Sequence, residues 1–293
     1  MAKTKIEWTE YSWNPVTGCT KISPGCANCY AERFAHRLAG RFGYPPDKPF
    51  KVTIRPDRLK EPLRWKKSRT VFVSSRGDLF HEDVPSTFIA DIFDTIQKAK
   101  QHTFLILTKR PERMRFFLQK NGPIFGKEPL PNVWLGVSVE NQQYADERIP
   151  ILLQIPAAVR FISVEPMLSS VDLRSYLWPE FSQEVKTWPD DNRARIGWII
   201  AGGETGPDAR PVHPNWVRSI RNQAVVAGVP FFFKSWREWQ LFKLAEPLDV
   251  RNKKTGDFET WPVGKEVFKR VGRKTAGCLL DGRIWNDYPN QRE

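Results

Sequence analysis

Short apolar runs, each closed by polar or turn-forming residues, recur along the chain and are separated by segments with helical periodicity. The runs Thr70–Ser74 (TVFVS), Thr103–Leu107 (TFLIL), Val133–Val137 (VWLGV), Val159–Ser163 (VRFIS), Trp198–Ala201 (WIIA) and Val229–Phe233 (VPFFF) are rich in β-branched and aromatic residues, which predicts strands. Helical spacing predicts helices over Thr87–Lys100, Pro111–Gln119, Gln142–Gln154 and Pro214–Ala227. Pro85, Pro111 and Pro214 stand where helix starts tolerate proline. A strand near Ser12–Thr17 and a helix over Ala27–Leu38 complete the series. Strand-then-helix alternation implies an α/β fold with a parallel sheet and helical crossovers. The rhythm stops after about Gln240, which divides the chain into 1–240 and a short extension, 241–293, packing on it.

The residues just past each strand are more telling. Ser75, Arg76 and Asp78 come after the first run, and Thr108, Lys109 and Arg110 after the second. Ser138 and Glu140 succeed the third, Glu165 and Pro166 the fourth, Gly202-Gly203-Glu204 the fifth and Lys234 the last. In parallel α/β sheets the carboxyl ends of the strands share one rim, where active sites lie. Six strands delivering polar groups to one rim exceed what turn chemistry needs, so an enzyme scaffold is expected.

With 293 residues, 40% hydrophobic and 27% charged, the chain can bury a sizeable core, which excludes disordered and fibrous classes. No run approaches the roughly 18–20 apolar residues that cross a bilayer, and no apolar stretch near Met1 resembles a signal peptide; a cytoplasmic location without membrane association is expected. The net charge of +13 favours a polyanionic partner such as nucleic acid. Arg33–Arg69 holds twelve Lys or Arg against three acids, interleaved with Phe42, Tyr44, Phe50 and Trp65, a composition suited to phosphates and stacked bases. Arg55, Arg58, Arg64, Lys66, Arg110 and Lys234 are the candidate phosphate contacts; the alternative is a solvated basic face.

Cys19, Cys26 and Cys29 form a C-x6-C-x2-C cluster in a loop turned by Pro24 and Gly25. In a cytoplasmic chain such a cluster points to metal rather than disulfides. Three thiolates are an incomplete set for structural zinc but match a [4Fe–4S] cluster with one iron open to another ligand. Zinc completed by His36 or Cys278, and unliganded thiols, are the competing readings. No Walker loop, G-x-G-x-x-G or G-x-S-x-G motif occurs.

WNPVTGCTKISPGCANCYAERFA, SSRGDLFHEDVP, LTKRPERM, NVWLGVSVEN, RFISVEPML, AGGETGPDARP, WVRSIRNQAVVAGVPFFFKSW and LDGRIWNDYP together resemble the phage-associated three-Cys-motif family, over nearly the whole chain. That family in turn resembles radical S-adenosylmethionine (SAM) enzymes of the DNA-photoproduct-lyase type. The resemblance implies a partial (β/α)6 TIM-like barrel, a [4Fe–4S] cluster on Cys19, Cys26 and Cys29, and SAM on the open iron. It also implies a 5′-deoxyadenosyl radical acting on nucleic acid, a reductant such as flavodoxin or ferredoxin, and the family's three-Cys-motif partner protein. Glu140, Glu165 and Lys109 are the expected catalytic residues, and Ser75, Asp78, Ser138, Glu165, Gly202, Gly203 and Glu204 the expected SAM contacts. Two features depart from the pattern. Most radical SAM enzymes space their cysteines C-x3-C-x2-C, and their Gly-Gly-Glu element comes after the second strand; here it comes after a late one, and Ser74, Ser75 and Asp78 stand at the second. A nucleic-acid-binding protein with a structural iron–sulfur or zinc site, doing no chemistry, is the second reading.

Overall fold

A computed structural model describes residues 2–125, 128–178, 195–242, 258–260 and 267–289. Seven parallel strands form its frame: β1 (Tyr11–Trp13), β2 (Thr70–Val73), β3 (Thr103–Thr108), β4 (Val133–Ser138), β5 (Val159–Val164), β6 (Ile196–Ala201) and β7 (Phe231–Phe233). Each pairs with the next in chain order, from β1 with β2 through to β6 with β7. Between them run six helices: α1 (Tyr30–Arg37), α2 (Ser86–Lys98), α3 (Pro111–Phe125), α4 (Gln142–Leu153), α5 (Arg174–Leu177) and α6 (Pro214–Val226). A sheet wound in one direction with a helix at every step curls into a partial TIM-like barrel. It comprises six β/α units and a closing seventh strand. Ala2–Lys3 extends the outer edge of β1 as a short antiparallel strand.

The strands alternate faces as the pleat requires. Outward residues such as Val71, Val73, Ile106, Val137, Ile162 and Ile199 join the buried faces of the helices in one continuous core. Inward, Phe72, Leu105, Trp134, Phe161, Trp198 and Phe232, one from each of β2 to β7, fill the bottom of the half-barrel. The Trp8 ring lies 4.7 Å from Phe72 and 6.2 Å from Trp198. Burying each such side chain stabilises the fold by about 1.5–3 kcal/mol. Two residues further along, Ser74, Leu107 and Ser163 leave the upper half unfilled, so the packed floor gives way to a cavity.

Where the strands differ from expectation, local chemistry explains it. The expected strand over Ser12–Thr17 breaks at Asn14-Pro15. Its first part is β1, and Val16–Thr17 pairs instead with Thr53–Ile54. Asn14 turns its side chain to accept from Ser75 Oγ and the Arg76 N–H. β2 stops one residue early because Ser74 adopts a left-handed backbone, φ 56°. β6 starts two residues earlier than expected, at Ile196, and β7 two residues later, at Phe231, because Pro230 has no N–H for the ladder.

After β7, the strands Trp239–Phe242, Phe258–Thr260 and Val267–Arg270 form a small antiparallel sheet. The expected division at 240 falls inside its first strand. Gly277–Tyr288 then runs along the free edge of β7: Phe233 N–H donates to Trp285 O and Asp287 N–H to Phe231 O. The Trp198 indole donates to Asp287 O, and Tyr288 hydroxyl to Glu7 O. The segments around Glu7 and Tyr288 thereby meet at the opening between β1 and β7, where Arg237 and Arg273 both pair with Glu7. Among the described residues, no helix is long and apolar enough to cross a membrane.

Candidate functional site

The carboxyl ends of the strands surround a cavity of about 440 Å³. Cys19, Cys26, Cys29, Ser75, Asp78, Lys109, Arg110, Ser138, Glu165, Gly203, Glu204 and Lys234, twelve of the residues singled out from the sequence, line it. The cysteine loop begins just past Val16–Thr17, beyond the carboxyl end of β1, and its three cysteines line the cavity.

Two cations approach the thiols. Lys109 Nζ lies 3.6 Å from Cys26 Sγ, and Arg110 Nη1 lies 3.4 Å from Cys19 Sγ. Burial opposes ionisation of Cys26, but Lys109, the Ser23 hydroxyl and the loop backbone together hold its thiol below the usual range. Burial dominates at the other two. It pushes Cys19 up to about 12, with Asp78 adding to the rise against the pull of Arg110, and it raises Cys29. Among the described residues no three His, Cys, Asp or Glu side chains are grouped as they would be around a single ion. His36 is exposed, and Cys278 sits on the segment after β7 beside Trp236. A four-iron cluster makes a different demand, one thiolate to each of three irons, and three thiols that line one cavity, two of them with a cation alongside, are the donor set it takes.

Glu140 does not reach the cavity. It is fully buried behind Gly25, whose Cβ, were there one, would overlap the Glu140 side chain. Its Oε1 accepts from Ser23 Oγ at 2.6 Å and pairs with Lys109, while Oε2 takes Arg148 at 3.1 Å. Instead of a catalytic residue facing substrate, the structure gives a carboxylate that ties the cysteine loop to β4 and α4. Asp78 is likewise engaged: it accepts from Thr108 Oγ1 at 2.7 Å, from the Phe80 N–H and from Arg110.

Glu165 and Glu204 do face the cavity. Glu165 sits before a cis bond to Pro166 and pairs with Lys234 at 3.0 Å and Arg237 at 3.7 Å. Burial drives the Lys234 ammonium below its usual range despite that partner. Glu204 takes a two-pronged contact from the Arg210 guanidinium, at 2.6 and 2.8 Å, a bond from the Arg210 N–H at 2.9 Å and another from Asn28 in the cysteine loop. Burial raises its pKa, but the Arg210 and Asn28 contacts outweigh it and hold the carboxyl below the usual range. Gly202 lies behind the rim, its N–H donating to Val164 O.

The basic segment divides. Arg64 and Lys66 are exposed, Arg58 is half-buried, and Arg55 is interior: it lies against the Tyr44 ring and donates to Thr17 Oγ1. Arg55 therefore cannot meet a phosphate. Arg110 and Lys234 are also committed elsewhere, to the cysteine loop and to Glu165. Cavity residues that sequence reasoning passed over are Trp8, Ser12, Tyr30, Ser163 and Arg237. Alternation along β1 and β5 could have found both serines, since they share the inward face with Phe161 and its neighbours. Arg237 carries no such signal; it sits in an irregular turn with φ 69°.

A family profile described as "Protein of unknown function (DUF5131)" matches residues 3–289, so the chain belongs to that family. No curated protein matches it in sequence. Among solved structures it is similar to a mutant of spore photoproduct lyase, at TM-score 0.45 and 12% identity over 92% of this chain and 70% of the other. It is also similar to a mutant of that lyase with bound AdoMet and dinucleoside spore photoproduct, at TM-score 0.46, 12% identity and 92% and 71% coverage.

Proposed function

We propose that this DUF5131 chain is a radical-SAM-like iron–sulfur enzyme acting on nucleic acid, by lesion repair or base modification. One observation carries the reading: three cysteines of one loop and the polar ends of the parallel strands line the same cavity at the carboxyl rim. Cys19, Cys26 and Cys29 would each hold one iron of a [4Fe–4S] cluster. When bound, the cluster and SAM would supply a 5′-deoxyadenosyl radical.

This chain's own residues prepare the site. Lys109 and Arg110 offset the negative charge of Cys26 and Cys19 as thiolates. Glu140 fixes the loop through Ser23 and Lys109. Glu165 and Glu204, at the rim, are suited to accept hydrogen bonds from an ammonium or a ribose. Ser12, Ser74, Ser138 and Ser163 offer hydroxyls to a polar ligand above an aromatic floor, and Ser74 Oγ is buried without a partner. The packed floor of Trp8 and Phe72 keeps water from below. A low-potential electron donor such as flavodoxin or ferredoxin and the three-Cys-motif partner protein belong to the same reading.

Anaerobic reconstitution with iron and sulfide tests it. The expected product is a brown protein that converts SAM to 5′-deoxyadenosine under reduction. A colourless protein that retains zinc and leaves SAM intact refutes it.

A further inference from the structure

The loop after α1 presents an aromatic ring that the fold does not use. Phe42 is 73% exposed, the most exposed aromatic side chain among the described residues, and its φ is 52°. Bulky side chains rarely occupy that left-handed region. The backbone holds it there: Arg41 N–H donates to Leu38 O at 2.8 Å, Tyr44 N–H to Arg41 O at 2.9 Å, and Gly40 N–H to Tyr44 O at 2.9 Å. A ring that neither packs nor sits in relaxed backbone works against stability, so its use lies outside the fold.

Its surroundings identify the ligand. Tyr44, two residues on, is buried against Phe34, with ring centroids 6.4 Å apart, and Phe34 lines the cavity beneath the Arg76 guanidinium at 4.0 Å. Further along the same loop, Phe50 also lines the cavity and its carbonyl accepts from Cys19 N–H. The loop therefore runs from the cavity wall out to Phe42. Arg41, Lys48 and Lys51 are exposed on it and Arg37 at the end of α1, and from Arg33 to Pro56 the sequence has one acid, Asp47. An exposed ring on a stretch with four exposed cations and one carboxylate complements a polyanion that carries flat groups. An apolar protein partner would meet those charges unfavourably.

We infer that Phe42 is a stacking platform for an unpaired nucleobase, with phosphates met by Arg37, Arg41, Lys48 and Lys51, on a single strand led toward the cavity. This rests on the nucleic-acid reading of the site.

The test measures binding of a labelled single-stranded DNA oligonucleotide to the reconstituted full chain across a salt series, alongside thermal melts. Phe42→Asn should weaken binding about tenfold, the effect of losing one stacked base, yet raise the melting temperature, because Asn tolerates the left-handed backbone. Phe42→Trp should restore affinity. Replacing Arg37 and Arg41 together by Ala should flatten the slope of log affinity against log salt by about 1.4, two phosphate contacts. Equal affinity of Phe42→Asn and the unaltered chain overturns the inference, as does a lower melting temperature that accounts for lost binding. An unaltered chain that cleaves SAM but binds no oligonucleotide overturns it together with the choice of substrate. A chain that binds with these signatures but assembles no cluster upholds the inference and refutes the enzyme.

Discussion

Replacing Glu140 by Gln isolates the carboxylate that holds the cysteine loop. The substitution keeps the side chain's shape behind Gly25 but removes the charge between Lys109 and Arg148. The two cations respond differently. Lys109 is partly accessible and can turn toward the cavity, whereas the Arg148 side chain is 2% exposed and cannot. Arg148 keeps its bond to Ser138 O at 2.7 Å and its place over the Tyr144 ring at 4.1 Å, but loses its counter-charge. Breaking one side of a buried pair costs about 3–5 kcal/mol. Because the Gln oxygen still accepts a bond, the lower end applies, about 3 kcal/mol, or roughly 6–12 °C in melting temperature. Thermal and denaturant unfolding of the metal-free protein measure this directly. Adding Arg148→Met to Glu140→Gln should recover most of the loss, since removing both charges leaves none uncompensated. A Glu140→Gln protein within about 0.5 kcal/mol of the unaltered chain, or a double variant worse than either single one, would refute the assignment.

Three further outcomes are expected. Ala at Cys19, Cys26 or Cys29 should abolish iron and sulfide binding, while Cys278→Ala leaves both intact, as elemental analysis will report. Glu165→Gln and Glu204→Gln should retain fold and iron content but weaken SAM binding or cleavage; unchanged affinity and turnover in both would remove these residues from the site. Burial lowers the pKa of His81, whose Nε2 contacts Thr20 beside Cys19, and of His102, which contacts Pro62 O. Below the ordinary value of 6.5 the unfolded chain then binds more protons than the folded one, so stability should fall on acidification through that range. A melting temperature that stays flat as pH drops from about 7 to about 5 contradicts this.

The frame was readable because buried parallel strands are written as largely apolar runs, and each of β2 to β7 is one, Arg160 in β5 excepted. The rim was readable for a related reason: polar residues stand just past each strand, and most of them, though not Glu140, line one cavity. Burial of individual charged groups was not. Counting charges along Arg33–Arg69 treats Arg55 and Arg64 alike, yet one is enclosed by Tyr44 and Thr17 and the other meets solvent. Glu140 and Glu165 hold equivalent places after their strands, but the distant Gly25 packs over the first and leaves the second facing the cavity. The small C-terminal sheet lay hidden because its strands are only three or four residues long and no segment of helical spacing separates them.

The contact between Glu7 and Tyr288 across the half-barrel's opening bears on the order of assembly. Every pairing from β1 to β7 joins consecutive strands, so the frame can grow by small closures, each costing little chain entropy. The seal at the opening joins positions 281 residues apart. Topologies gain speed from near-neighbour contacts and lose it to remote ones. The curled sheet is therefore expected to form before the Glu7–Tyr288 clasp, leaving β7 with an unpaired edge in the interval, the point at which a slow-closing chain would stick to another.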